Sequence, residues 1–101
     1  MGNDLYFVIF RDEDQWVAMG LQHQVMTQGR DFDEIRKHIR LILRAYHEVV
    51  GIESLKRLPP APPEYWERFI RALKNGYNID DLSNESEVPP NEPAFMELEA
   101  A

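Results

Sequence analysis

The sequence pattern changes from that of a strand to that of a helix within one stretch, Thr27-Gln28-Gly29-Arg30-Asp31-Phe32-Asp33-Glu34-Ile35. Gly29 is free to take a positive φ angle, which allows a strand to turn sharply into a helix. Asp31 can accept a hydrogen bond from the first backbone N–H groups of a helix, and Glu34, three residues later, can reach back as in a capping box. We therefore predict that a strand ends near Thr27 and that a helix begins after Asp31.

Downstream of this stretch, apolar residues recur at the spacing of an amphipathic helix of about 18 residues, which Gly51 would end. These apolar residues are Phe32, Ile35, Ile39, Ile42, Leu43, Tyr46, Val49 and Val50. The opposite face carries Arg36, Lys37, Arg40 and Arg44. A basic face of this kind is typical of a solvated helix surface, and a stripe that contacts nucleic acid is the alternative.

Upstream of it, three short segments have the composition of strands. Residues 5–10 are apolar at every position, which indicates a central strand covered on both faces. Residues 16–21 carry Val17, Met19 and Leu21 at the two-residue period of a strand with one buried face, and residues 25–28 can form a third strand. The predicted fold class is α+β: within residues 1–58, a three-stranded antiparallel meander is packed by one long helix. Residues 52–58 are a candidate fourth short strand, or an extended return of the chain.

The next segment, residues 59–76, combines a proline-rich connector with a second, short helix. Four of the residues 59–63 are prolines, which favour an extended chain and are tolerated in the first turn of a helix. Gly76 is a natural C-terminal stop. The sequence leaves open whether the helix at residues 62–75 docks on the domain or stays exposed.

The net charge of −7 lies entirely in residues 77–101, because the acidic and basic side chains of the first 76 residues balance. This last segment has no Lys or Arg and carries Asp80, Asp81, Glu85, Glu87, Glu92, Glu97 and Glu99. Its acidic, proline-rich composition predicts a disordered tail. Two roles for the tail stay open: it orders on a basic partner, or it only aids solubility.

Several kinds of chemistry find no support in the sequence. The chain has no cysteine, which excludes disulfides and thiolate metal sites. Residues 5–10 lack the central carboxylate that a metal-dependent nuclease needs, and no Ser/His/Asp arrangement or phosphate-binding glycine loop is visible. We predict a non-enzymatic protein with no catalytic residues, no metal and no cofactor. Without a signal-peptide pattern or a long apolar run, we expect a cytoplasmic protein with no membrane contact.

Three segments of the chain resemble the HicB antitoxin family: residues 15–18, residues 27–35 with their Thr-Gln-Gly opening, and the proline-rich exit at residues 58–62. The chain departs from the family at residues 20–25, where relatives usually have a Pro-Asp-Leu-Pro-Gly-Cys-like turn. The resemblance implies a partial RNase-H-like fold. It also implies an antitoxin that masks HicA, a small basic toxin that cleaves RNA.

The resemblance and the charge distribution together predict an antitoxin or inhibitor that masks a basic protein partner, either a HicA-like toxin or a nucleic-acid-binding complex. The alternative is a stand-alone interaction protein, for example one encoded by a virus, that inhibits a host nucleic-acid-binding complex. We expect a homodimer, because a chain this short has a thin core. We expect no direct binding of nucleic acid, because the acidic end repels phosphate. The residues expected to contact the partner are Trp66, Phe69, Ile70, Leu73, Asp80, Asp81, Phe95, Glu97 and Glu99.

Overall fold

The computed structural model describes residues 4–99. Within this range the chain forms four strands, β1 (Asp4–Asp12), β2 (Gln15–Gly20), β3 (Met26–Gly29) and β4 (Ala94–Glu99). Between β3 and β4 it forms the helices α1 (Phe32–Ala45), α2 (Ile52–Lys56) and α3 (Pro63–Asn75). A π-helical turn (Tyr46–Val50) extends α1, and a short 3-10 turn (Glu85–Glu87) precedes β4.

The strands form one antiparallel sheet in the order β3-β2-β1-β4. This confirms the predicted α+β fold class with a three-stranded meander packed by a long helix. β1 is a central strand, and its Phe7, Val8 and Ile9 are all buried, as the apolar composition of residues 5–10 predicts. α1 covers one face of the sheet and α3 covers the other, so that the molecule has three layers.

The alternation of side chains along the strands divides the core into two clusters. The cluster beneath α1 includes Phe7, Ile9, Trp16, Phe32, Ile35 and Ile39. The cluster beneath α3 includes Val8, Met19, Ala61, Phe69, Ala72 and Phe95. The prediction that β2 has only one buried face is wrong, because α3 covers the face opposite α1 and residues 16–20 are all buried.

Asp31 caps the start of α1 as predicted, while Gly29 before it is needed for a reason other than the predicted one. The Asp31 side chain accepts a hydrogen bond from the Glu34 backbone N–H at 2.8 Å. Glu34 in turn accepts a hydrogen bond from the backbone N–H of Arg30 at 3.0 Å, not from that of the cap residue Asp31, so the predicted capping box is not formed. The positive φ predicted for Gly29 is wrong. A Cβ at Gly29 would lie 3.1 Å from the backbone nitrogen of Ile35, so that glycine is needed here for the close approach of helix and strand.

The candidate fourth strand at residues 52–58 is also wrong, because α2 occupies residues 52–56. Gly51 has a φ of 105° and separates the π-helical turn from α2. Leu55 is the buried residue of α2. A helical turn with a single apolar anchor suits this segment better than a strand, since its remaining side chains are exposed or only half-buried.

The fourth strand is β4, which lies in the segment predicted to be disordered. Ala94 and Met96 are buried on the α1 side of the sheet, and Phe95 is buried on the α3 side. Ile79 and Val88 join the cluster beneath α1. The predicted disorder of residues 77–101 therefore does not hold for residues 77–99, and the last two residues lie outside the described range. Three consecutive apolar residues of β4 are thus buried in the core, despite the surrounding acidic residues and prolines.

α3 begins with Pro63 and ends at Gly76, which has a φ of 73°. This agrees with the predicted helix boundaries. Phe69 is buried against the sheet, and its ring centroid lies 5.4 Å from that of Tyr6 and 5.7 Å from that of Phe95. The helix therefore docks on the sheet, which settles the question that the sequence leaves open. None of the helices within residues 4–99 is long and apolar enough to cross a membrane.

Candidate functional site

An acidic row lies where β1 begins and β4 ends. The register of these strands places Asp4 opposite Glu99 and Tyr6 opposite Glu97. Side chains alternate between the two faces of a sheet, so Glu97 and Glu99 lie on the same face as Phe95, which packs beneath α3. We call Asp4, Tyr6, Glu97 and Glu99 the acidic edge. It combines three carboxylates and one phenol on the α3 side of the sheet.

The charges of the acidic edge are not neutralised within the described part of the chain. None of the ion pairs among residues 4–99 includes Asp4, Glu97 or Glu99. The pKa of Glu97 is raised above its ordinary value by a side-chain hydrogen bond with Asp4, then by burial and by the charge of Asp4. The pKa of Tyr6 is raised first by the negative charge of Glu97. An incoming cation would relieve this repulsion.

Beside the acidic edge, α3 has an apolar face that the sheet does not cover. Ile70 and Leu73 are 50% and 48% exposed, and Trp66 is half-buried. These residues follow the i, i+4, i+7 spacing of one helix face, and we call them the apolar stripe. The indole N–H of Trp66 donates a hydrogen bond to the carbonyl of Ala61 at 3.1 Å, which fixes the orientation of the ring at the start of the stripe.

The apolar stripe faces the same end of the sheet as the acidic edge. Arg68 and Arg71 lie on the side of α3 opposite the stripe, as follows from the rotation of about 100° per residue. Both arginines line a cleft with residues 10–12 at the end of β1 and residues 90–93 before β4. The stripe on the other side of the helix is therefore directed toward the beginning of β1 and the end of β4. The contact between Phe69 and Tyr6 connects the two features.

The opposite, α1 side of the same sheet end contains an open groove of about 750 Å³. Its floor is apolar and its outer wall, formed by α1 and α2, is basic. We call it the leucine groove. Its floor is lined by Leu5, Leu43, Leu55 and Leu98, and its wall carries Arg40, Arg44 and Lys56 together with Glu48, which pairs with Arg44. Asp4 and Glu99 of the acidic edge also border this groove, where the sheet ends.

The structure brings together five of the nine residues that the sequence proposes for partner binding: Trp66, Ile70, Leu73, Glu97 and Glu99. Phe69 and Phe95 are buried in the core beneath them, so they support the surface without being available to a partner. Asp80 lies elsewhere and pairs with Arg36 at 3.2 Å, and Asp81 lies exposed in the adjoining turn. Arg36, expected on a solvated face, is instead held between Asp33 and Asp80.

Sequence reasoning misses Asp4 and Tyr6. Both residues lie within the first three positions of the strongly apolar strand β1, and nothing local distinguishes them from ordinary strand residues. Only the pairing of β1 with β4 places them beside Glu97 and Glu99. The available signal in the sequence is the alternation in residues 94–99, where Phe95, Glu97 and Glu99 share one strand face.

We expect the substitution Glu97→Gln to raise the thermal midpoint of unfolding at pH 7. A raised pKa means that the folded state favours the protonated form, so the carboxylate disfavours folding once the pH exceeds its folded pKa. This cost disappears as the pH falls below the ordinary carboxyl value of about 4.3. The gain measured by thermal denaturation should therefore vanish at about pH 4. Glu67→Gln, an exposed position on α3, is the control, and an equal gain at both pH values would contradict the assignment.

Within residues 4–99, no group of three or more His, Asp or Glu side chains is placed to hold a metal ion. Comparison of the chain with protein-family models, with curated proteins and with solved structures gives no match. The candidate site accordingly rests on the geometry of this chain: a row of acidic side chains that form no ion pair with another residue of the range 4–99, beside an exposed apolar helix face.

Proposed function

We propose that this chain is a non-catalytic binding protein of the cytoplasm that holds a basic protein partner on the acidic edge and the apolar stripe. The observation that carries the proposal is the position of both features at one end of the sheet, with no ion pair to the carboxylates among the described residues. Interfaces of this kind combine an apolar centre with charged groups around it. The carboxylates would accelerate association with a basic surface and exclude acidic partners.

The narrower form of the proposal is a HicB-like antitoxin or a related inhibitor whose partner is a basic toxin of the HicA type. It is supported by the resemblance at residues 15–18, 27–35 and 58–62 and by the order of strands and helix around the Asp31 cap. Masking would consist of covering the basic surface with which such a toxin contacts RNA. A stand-alone inhibitor of a nucleic-acid-binding complex would use the same surface. The identity of the partner and relief of toxicity on co-expression distinguish the two.

The test uses the full chain and two variants, each as the bait in affinity purification with crosslinking from the native source. The proteins that each bait retains are then compared. The double variant Ile70→Ser/Leu73→Ser removes the two exposed side chains of the apolar stripe and keeps the half-buried Trp66, so the fold should be preserved. We expect a basic protein to be retained by the unsubstituted chain and to be reduced at least about tenfold with this variant, as for truncated interface hot spots.

Leu41→Ser is the matched control, because Leu41 is 51% exposed but lies on α1, on the other side of the sheet. It should retain the partner at the level of the unsubstituted chain. Equal retention by all three proteins, or retention of only acidic proteins or nucleic acid, would overturn the proposal. A retained basic protein should also dissociate as ionic strength rises, since the contacts with the acidic edge are solvent-exposed.

A further inference from the structure

We propose that the partner is held by backbone pairing: an extended segment with alternating basic and apolar residues adds to the open half of β4 as a fifth strand. This inference rests on the proposed function and specifies how the basic partner would be recognised. It uses three features that meet at one place, namely a strand edge with no pairing partner among the described residues, the acidic edge and the leucine groove.

The outer side of β4 is covered only in part. The Phe95 backbone N–H donates to the carbonyl of Tyr77 at 2.9 Å, and the Ile79 N–H donates to the carbonyl of Phe95 at 3.0 Å. In an antiparallel pair, successive residues direct their backbone groups alternately toward and away from the neighbouring strand. The N–H and C=O groups of Glu97 therefore point outward like those of Phe95. No segment within residues 4–99 pairs with them.

The two faces of the sheet beside this open edge differ in polarity: the α3 side is acidic and the α1 side is apolar. The carboxylate of Glu97 lies on the α3 side, and on the α1 side Leu98 forms part of the floor of the leucine groove. Glu99, the last residue of β4, shares the strand face of Glu97 and also borders the groove. Residues opposite one another on adjacent strands place their side chains on the same face. An added strand would thus direct every second side chain toward carboxylates and the others toward the leucine floor. This pattern specifies basic and apolar residues in alternation.

Two other molecules could in principle occupy such an edge, a second copy of this chain and a nucleic acid, and the charges of the acidic edge disfavour both. Pairing of β4 with the β4 of a second copy would bring Glu97 and Glu99 of one chain close to those of the other, and like charges on adjacent strands are destabilising. Acidic side chains on edge strands commonly prevent such self-association. Nucleic acid is disfavoured because its phosphates would meet the same carboxylates. A basic strand is the occupant that the edge favours.

The test uses a synthetic peptide of about seven alternating lysine and valine residues, the length of a typical strand, titrated into the full chain by calorimetry. Two further versions carry a methyl group on the backbone nitrogen of three lysines or of three valines. In an edge strand only alternate N–H groups point toward the protein. We expect one methylated version to bind at least about tenfold more weakly than the unmodified peptide and the other to bind nearly unchanged.

The charge-reversal variant Glu97→Lys/Glu99→Lys should lose the lysine–valine peptide and bind a glutamate–valine peptide instead. Glu67→Lys/Asp81→Lys has the same change in net charge at exposed positions away from the edge, and it should retain the original preference. Equal weakening by both methylation patterns would overturn strand addition while leaving the proposed basic partner intact. Absence of peptide binding, or a dimer that the charge reversal dissociates in light scattering, would also overturn the inference.

Discussion

Ending the chain after Pro93 is expected to abolish cooperative unfolding, although the removed segment is short and rich in acidic residues. β4 supplies the buried side chains Ala94, Phe95 and Met96. Burial of a Phe or Met side chain contributes roughly 1.5–3 kcal/mol each, and the loss of β4 would also expose the edge of β1. The whole free energy of unfolding of a domain is only about 5–15 kcal/mol. Urea denaturation of the chain ending at Pro93, monitored by circular dichroism, should therefore show no sigmoidal transition.

A chain that ends at Glu99 is the control for this truncation. It keeps all of β4 and should unfold with the midpoint and cooperativity of the full chain. If the chain ending at Pro93 unfolded with the same midpoint, residues 94–99 would be a dispensable tail and the assignment of β4 to the core would be wrong. The result also bears on functional work, because removal of the C-terminal segment would unfold the domain as well as remove acidic residues.

The substitution Phe32→Ala is expected to lower the free energy of unfolding by about 3–5 kcal/mol, the usual cost of removing a buried Phe side chain. Phe32 is 1% exposed, and its ring centroid lies 4.9 Å from that of Trp16 on β2. Removal of the ring would leave a cavity between the first turn of α1 and the sheet. Chemical denaturation monitored by tryptophan fluorescence measures the change, since Trp16 borders the cavity.

Leu41→Ala provides the comparison for Phe32→Ala, because Leu41 is on the same helix but 51% exposed. Surface substitutions of this kind usually change the free energy of unfolding by less than about 0.5 kcal/mol. A loss of less than about 1 kcal/mol for Phe32→Ala would contradict its place at the centre of the cluster beneath α1. Such a result would mean that the first turn of α1 does not pack closely on the sheet.

The fold could be predicted from the sequence wherever local chemistry decides the structure. Asp31 determines the start of α1 through its hydrogen bond to the Glu34 N–H, and Gly76 ends α3 in the left-handed conformation. The uninterrupted apolar residues 5–10 identified a strand covered on both faces. At Gly29 the correct residue was identified for the wrong reason, because a close approach to Ile35 is a tertiary requirement and leaves no local sign.

The candidate site could be predicted only in part, because it depends on pairing between distant residues. The apolar face of α3 and the acidic residues of the last segment were visible as separate patterns. Their position beside Asp4 and Tyr6 follows from the register of β1 with β4. The composition of the last segment argued against the formation of β4, since acidic residues and prolines are depleted in strands. Burial of Phe95 and Met96 outweighs this preference, and such burial is a property of the assembled core.

The pairing of β1 with β4 also has a consequence for the order of folding. Joining Asp4 to Glu99 closes a loop of roughly a hundred residues, at an entropic cost on the order of 4 kcal/mol before the contacts of β4 compensate for it. The hairpin of β1 and β2 joins near neighbours in the sequence and has no comparable barrier. β4 should therefore dock last during folding and detach first in native-state fluctuations. A ligand bound along this strand would slow its detachment and so prolong the lifetime of the complete sheet.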